Sequence, residues 1–260
     1  IDTTIAVKEE SNPLFTSNTS LTFNWGGTSD QVQNIAMTLT SRSHNEDVVD
    51  KLEFYVDYLK EGKYNLEDAY GSTPFKIKLD KDNYQLLNIP IAITFINQDE
   101  YEILIPFESD EVQVDNYFTK TVSTTNVQVG EFKKRYKVGQ KVILPFLNST
   151  LELTDNPGFI ADKKYFIRFN NFDGVVSRYK SVATEIEPKA PSILKLSLQG
   201  NNKARLVEYL NATVEILIKK ELDRKNKFAT NTISFIDSTL IDMGNKLKAN
   251  EEEIKSFSQD

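Results

Sequence analysis

The sequence predicts an α+β fold: an α/β base, an inserted antiparallel β-sandwich or jelly-roll-like domain, and a long protruding C-terminal helix. Three observations predict it. Short strand-like runs follow one another through residues 76–187, separated by turn residues such as Gly139 and Asn156-Pro157-Gly158, the pattern of an antiparallel sandwich or barrel. On either side of that zone apolar residues recur at three-four spacing, first at Val32, Ile35, Ala36 and Leu39, then at Val207, Leu210, Val214 and Leu217; such a stripe is one face of a helix. Finally, Ile233, Ile236, Leu240, Met243, Leu247, Ile254 and Phe257 keep the spacing almost to Asp260, with no stop signal after the last turn.

The elements follow in order. "TTIAVKEE" alternates enough to form a strand. "TSLTFNWGGTSD", which carries the single Trp, reads as a polar loop, with Ser29 or Asp30 capping the first helix. "SHNEDVVDKL" places Ser43 and Glu46 at capping-box spacing, predicting a second short helix or a bend at Ser41–Ser43. "FYVDYLKEGKYN" reads as an aromatic strand closing on a turn at Gly62. The β zone then supplies "FKIKL", "IPIAITFIN", "EYEILIPF", "TKTVSTTNVQV", "KKRYKVGQKVIL", "STLELT", "KKYFIRFN" and "VVSRYKSVATEIE", with further turns at Asp99-Glu100 and Asp173-Gly174. "SILKLSLQG" is a strand stopping at Gly200, after which Asn201 or Asn202 caps a nearly continuous helix, bent within its charged middle "KKELDRKNK". Its length far exceeds the ~11–12 residues usual in globular proteins. The predicted organisation is a base of residues 1–75 and 188–218, an insert of residues 76–187, and the start of a truncated arm at 219–260.

Composition excludes several function classes. With a net charge of −7 and its cations scattered, the chain lacks the clustered Lys and Arg of a nucleic-acid grip. No apolar run approaches the ~18 residues of a membrane span; Ile89–Ile96 is interrupted by Pro90 and reads as a strand. The chain contains no Cys, which removes thiolate nucleophiles, disulfides and Cys-based metal sites. Because it starts on Ile, with no signal-peptide pattern, it reads as an excised piece of a longer chain.

Residues able to carry chemistry are few. His44 is the single histidine and would have to serve any Ser-His-Asp triad; in its capping segment the plainer reading is a solvent-exposed turn residue. "DKDN" (Asp80, Asp82, Asn83) is the nearest approach to a calcium loop but lacks the downstream Gly and Glu, so an ordinary polar turn is expected. The phosphate-binding pattern GxxxxGK is absent. Strand-zone aromatics such as Tyr101, Tyr117, Phe118, Tyr136, Phe146 and Phe159 are either sugar platforms or core, with core the default. Asn18, Asn148 and Asn211 open N-glycosylation patterns that matter only in a eukaryotic secretory route. No catalytic, cofactor or metal residue is assigned.

"SRSHNEDVVDKL", "YGSTPF" and "ARLVEYLNATVEIL…FIDSTL", in this order around a β insert, resemble the periplasmic part of the chain-length determinant family, the polysaccharide co-polymerases. They look closest to Bacteroidetes-type members allied to a cytoplasmic tyrosine autokinase. The resemblance covers residues 1–75 and 188–260, with the middle zone matching an insert found in some members.

The resemblance implies a non-enzymatic periplasmic scaffold that sets chain length and aids export of capsular polysaccharide, exopolysaccharide or O-antigen. It implies a homo-oligomeric ring anchored in the inner membrane by helices outside this sequence. The implied partners are a membrane polysaccharide polymerase, an outer-membrane exporter and the nascent polysaccharide. A kinase domain would belong to the parent chain. Subunit contacts are expected from Val207, Leu210, Val214 and Leu217 in the base and from Leu240, Met243 and Leu247 in the arm, although packing within the chain accounts for the first four equally well. A reading of another class is a secreted β-sandwich carbohydrate-binding or adhesin module on a helical stalk. Apolar spans of ~20 residues beyond both ends would mark the scaffold; a secretion signal upstream with no span downstream would mark the adhesin.

Overall fold

The computed structural model describes residues 2–6, 28–158, 160–180, 182–186 and 193–257. In chain order they form β1 (Asp2–Ala6), α1 (Thr28–Thr40), α2 (Arg42–Leu52), β2 (Val56–Glu61), β3 (Leu66–Asp68), β4 (Phe75–Leu79), β5 (Gln85–Leu86), β6 (Ile91–Phe95), β7 (Glu100–Phe107) and β8 (Glu111–Asn116). There follow β9 (Thr121–Asn126), β10 (Gly130–Lys137), β11 (Lys141–Leu144), β12 (Leu147–Leu153), β13 (Lys164–Phe169), α3 (Phe172–Tyr179), β14 (Ala183–Ile186), β15 (Ile193–Ser197) and α4 (Lys203–Phe257). The class is α+β, with antiparallel sheets and a long C-terminal helix. Contacts divide the chain into Ile1–Val214 and Glu215–Asp260.

Within the first unit, strands distant in sequence pair early and late parts of the chain. β1 runs antiparallel to β15 with Ile5 opposite Leu194, joining the two segments "TTIA" and "ILKLS" whose alternation suits one sheet. A six-stranded sheet has the order β10-β7-β6-β13-β2-β3. Thus β2 and β3, from the segment before residue 75, share a sheet with four strands of the 76–187 zone. On β7 the alternation is explicit: Tyr101, Ile103, Ile105 and Phe107 are buried while their neighbours are not. Two three-stranded sheets, β11-β12-β4 and β5-β8-β9, complete the β zone. Gly139, at φ 77°, turns the chain between β10 and β11, so "KKRYKVGQKVIL" divides between two sheets.

Several local expectations are corrected. The first helix begins at Thr28, so Ser29 and Asp30 lie inside it rather than capping it. The second helix is capped by Ser41, whose hydroxyl accepts the His44 amide, and not by a Ser43–Glu46 box. "VVSRYKSVATEIE" is not one strand. Its first half belongs to α3, where Phe172, Val175, Val176 and Tyr179 make a buried helical stripe, and strand structure resumes only at β14. Asp173-Gly174 is therefore the first turn of a helix capped by Asn171. A further strand, β8, lies outside the runs named from the sequence and alternates Val112 and Val114 with polar neighbours. The loop carrying Trp25, the Asn18 pattern and Phe159 lie outside the described residues.

Candidate functional site

One group of buried polar residues in the first unit, His44, Asn45, Asp57, Arg205 and Thr213, gathers along the opening turns of α4. Asn202 supplies the cap: its Oδ1 accepts the Arg205 amide at 3.1 Å and its Nδ2 donates to the Tyr70 carbonyl at 3.1 Å. Arg205 then reaches Asp68 through Nε at 3.0 Å and Asp57 through Nη2 at 3.4 Å. Its guanidinium carbon lies 4.9 Å from the Phe54 ring centre and 4.5 Å from that of Tyr70, a geometry in which cation and ring faces attract. Burial opposes the charge on Arg205, yet Asp68 and Asp57 leave its pKa above the ordinary value. One turn on, the Tyr70 hydroxyl donates to Glu208, and Tyr209 stacks on Tyr179 at 4.7 Å while its hydroxyl meets Asn45.

His44 belongs to this same interface. It is fully buried on α2, with Nε2 2.8 Å from the Thr213 hydroxyl. The expectation of an exposed turn residue is therefore corrected: His44 shares the buried face of α2 with Asn45, Val48 and Val49.

Next to the Arg205 cluster opens a cleft of about 370 Å³, lined by Glu53, Tyr58, Tyr70, Thr73, Lys76 and Glu208 among others. Glu53 closes α2 in the left-handed region, at φ 51°. Burial lifts its carboxyl pKa, and the nearby Lys81 ammonium works against that lift. Tyr58 accepts the Ile77 amide at 2.9 Å, and burial pushes its phenol up to about 12. Burial and then Glu208 raise the Tyr70 phenol as well. Both phenols therefore keep their protons at neutral pH. The tuned groups are hydrogen-bond donors and carboxylate acceptors, which suit holding polar groups rather than attacking them.

The interface candidates separate by burial. Leu210 and Leu217 are buried, and Val207 is 36% exposed, so the two leucines pack inside the chain and have no face to offer a partner. Leu240, Met243 and Leu247 are largely exposed. With Ile233, Ile236 and Ile254 they form a seam, stepping by three and four from Ile233 to Leu247 and then by seven to Ile254, each member 49–68% exposed. Such spacing, held over roughly 32 Å of helix, is the signature of a helix that coils against another.

Other candidates are accounted for by their surroundings. Asp80 accepts a hydrogen bond from Lys141 at 2.8 Å, which, with other nearby donors, holds its carboxyl below the usual carboxylate range. Asn148 is buried, its amide bonded to the Tyr84 and Leu144 carbonyls, leaving no room for a glycan. Most of the aromatics named from the β zone are core, including Tyr101, Tyr117, Tyr136 and Phe146; Phe118 is exposed. Arg205, Asp57 and Asp68 do not stand out in the sequence. The readable signal was an Arg three residues after a capping Asn, but its two acids come from strands more than 130 positions away.

No protein-family model matches the chain, and no curated protein matches it. Among solved structures, the crystal structure of Xanthomonas campestris FlgL aligns over 85% of this chain and 89% of its own at 9% identity, with a TM-score of 0.15. A score that low carries no argument about fold or function.

Proposed function

We propose that this chain is the periplasmic, non-enzymatic scaffold region of an inner-membrane polysaccharide co-polymerase. In this role it regulates the chain length and export of capsular polysaccharide, exopolysaccharide or O-antigen. It works beside a membrane polymerase and an outer-membrane exporter, with the nascent polysaccharide as cargo. Copies of the chain join along the α4 seam. No described helix is long and apolar enough to cross a membrane; on this reading the anchoring helices lie outside residues 1–260.

The observation that carries the proposal is the exposed seam Ile233–Ile236–Leu240–Met243–Leu247–Ile254. A contiguous apolar stripe of this size on a chain otherwise rich in charge marks a surface meant to be covered. The pairing of β1 with β15 adds support, because it joins the beginning of the chain to the strand that leads into α4.

The test uses the full-length membrane protein carrying Leu240→Asp and Leu247→Asp together. Loss of the oligomer in mild detergent and a changed length distribution of surface polysaccharide are expected. An oligomer of unaltered size would remove the seam from the assembly. Unaltered polysaccharide in cells lacking the gene would remove the function.

A further inference from the structure

Among the described residues, the sheet edges longer than the two-residue β5 are guarded by charge, except at β9. Unpaired edge strands invite pairing with other chains, and charged side chains are a common protection. Of the strands of three or more residues that end a sheet, β1, β14, β10, β3, β11 and β4 each contain a charged residue. β9, "TVSTTN", contains none. Five of its six residues are exposed, and Val122 is 48% exposed.

Hydrogen-bond parity shows which groups of β9 face outward. Gln113 gives its carbonyl to the Leu87 amide on the β5 side of β8, so residues 112, 114 and 116 turn toward β9. Their partners are Thr125, Ser123 and Thr121. The bond from the Val127 amide to the Asp110 carbonyl continues that series. Val122, Thr124 and Asn126 therefore point their amides and carbonyls away from β8, and none of these groups has a bonded partner among the described residues. The hairpin holding the edge is firm. Asn116 Oδ1 accepts the amides of Phe118 and Thr119, and Lys120 takes the left-handed conformation before β9 begins.

We infer that β9 is a self-association edge: it pairs antiparallel with β9 of a second copy about a two-fold axis through Thr124. This register uses every outward group, setting Thr124 opposite the partner's Thr124 and Val122 opposite the partner's Asn126. Each such pair exchanges both of its backbone hydrogen bonds, and threonines directly opposite are a favourable cross-strand pair. Charge selects a second copy as the occupant. A two-fold axis sets the central residue against its own image and every other residue against the image of the one placed symmetrically about it, and an uncharged strand meets no like-charge repulsion in that arrangement. The cationic edge β10, with Lys133, Lys134, Arg135 and Lys137, would meet it. This edge is distinct from the α4 seam, and its test leaves the seam unchanged.

The test measures mass against concentration by sedimentation for the whole chain carrying the Leu240→Asp and Leu247→Asp seam changes, so that only β9 is read. A dimer that grows with concentration is expected. Thr124→Pro removes an outward amide without touching the ladder to β8, and it abolishes the dimer. Thr124→Lys and Thr124→Glu are each monomeric alone, while their equimolar mixture regains the dimer. Because the chain has no cysteine, Thr124→Cys forms a disulfide across the axis on mild oxidation. Asn126→Cys lies roughly 13 Å from its image along the strands and does not. A monomer at every concentration, a dimer that survives Thr124→Pro, or equal cross-linking at both positions overturns the assignment. So does an edge that binds only an unrelated extended peptide.

Discussion

Arg205 and Asp57, 148 positions apart in sequence, meet with Nη2 3.4 Å from Oδ1, where their side chains are only 9% and 11% exposed. That contact ties the first turn of α4 to β2, a strand of the six-stranded sheet. Asp57 is shared, since it also takes Arg168 at 2.9 Å, while Arg205 also holds Asp68. The cluster is an alternating chain of cations and carboxylates packed against aromatic faces. Its contribution lies less in net attraction than in the cost of leaving any member alone.

Arg205→Ala is accordingly expected to destabilise the fold by about 3–5 kcal/mol, the cost of removing one partner from a buried ion pair. Arg205→Lys recovers a part only, because an ammonium can neither fork between two carboxylates nor lie flat on the Phe54 and Tyr70 rings. Urea titrations of the three proteins read this order directly. A Lys variant as stable as the parent would show that charge alone sufficed.

The two halves of the apolar pattern on α4 should respond in opposite ways. Leu210 is buried, and Leu210→Ala is expected to cost about 2–5 kcal/mol. Leu240 is 61% exposed, so in dilute monomer Leu240→Ala changes stability by less than about 0.5 kcal/mol, its effect falling on association instead. Comparable losses from both substitutions in dilute monomer would mean that Leu240 is covered within its own chain.

Asp115 makes stability depend on pH. Its side chain is 1% exposed as a residue, and its Oδ2 accepts the Phe172 amide at 3.3 Å. Burial chiefly, helped by the neighbouring Asp173, raises its pKa above the ordinary 3.8. A carboxyl whose folded pKa is raised binds its proton more tightly in the fold. The stability it confers is complete below pH 3.8 and is lost as pH climbs through the folded value. Relative to Asp115→Asn, the parent should thus weaken as pH rises from about 4 to about 7. Denaturation midpoints for both proteins across that range would measure it, and parallel curves would contradict it.

The strands were legible because alternation and turn residues are local signals. β7 shows this best, with "EYEILIPF" burying every second residue. β1 and β15 were each legible as alternating segments. What escaped had non-local causes or conflicting local ones. His44 is buried by Thr213, 169 positions away, which no window around His44 can reveal. In α3, the adjacent Val175 and Val176 carry strand propensity and Asp173-Gly174 imitates a turn. The four-residue stripe and the Asn171 cap outvote them, because together they bury one helical face completely. Likewise the Arg205 cluster draws its acids from two strands, and acids on strands read from sequence as solvated positions.

The Asn171 cap gives a test in which a normally harmless exchange becomes costly. Asn171 Oδ1 accepts the Gly174 amide at 3.0 Å and its Nδ2 donates to Asp115 Oδ2 at 3.3 Å. Asn171→Ala removes both and should cost about 0.5–2 kcal/mol, as lost caps do. Asn171→Asp would ordinarily cap as well as Asn. Here it would replace the donor facing Asp115 with a second carboxylate, with Asp173 already close enough to raise the Asp115 pKa. At neutral pH the Asp variant should therefore be less stable than Asn171→Ser, which keeps the cap without the charge. Acidification should narrow the gap as the carboxyl pair takes up a proton. If the Asp and Ser variants stayed equally stable by urea titration from about pH 4 to about pH 7, Asp115 would have to be better solvated than its burial beneath the start of α3 indicates.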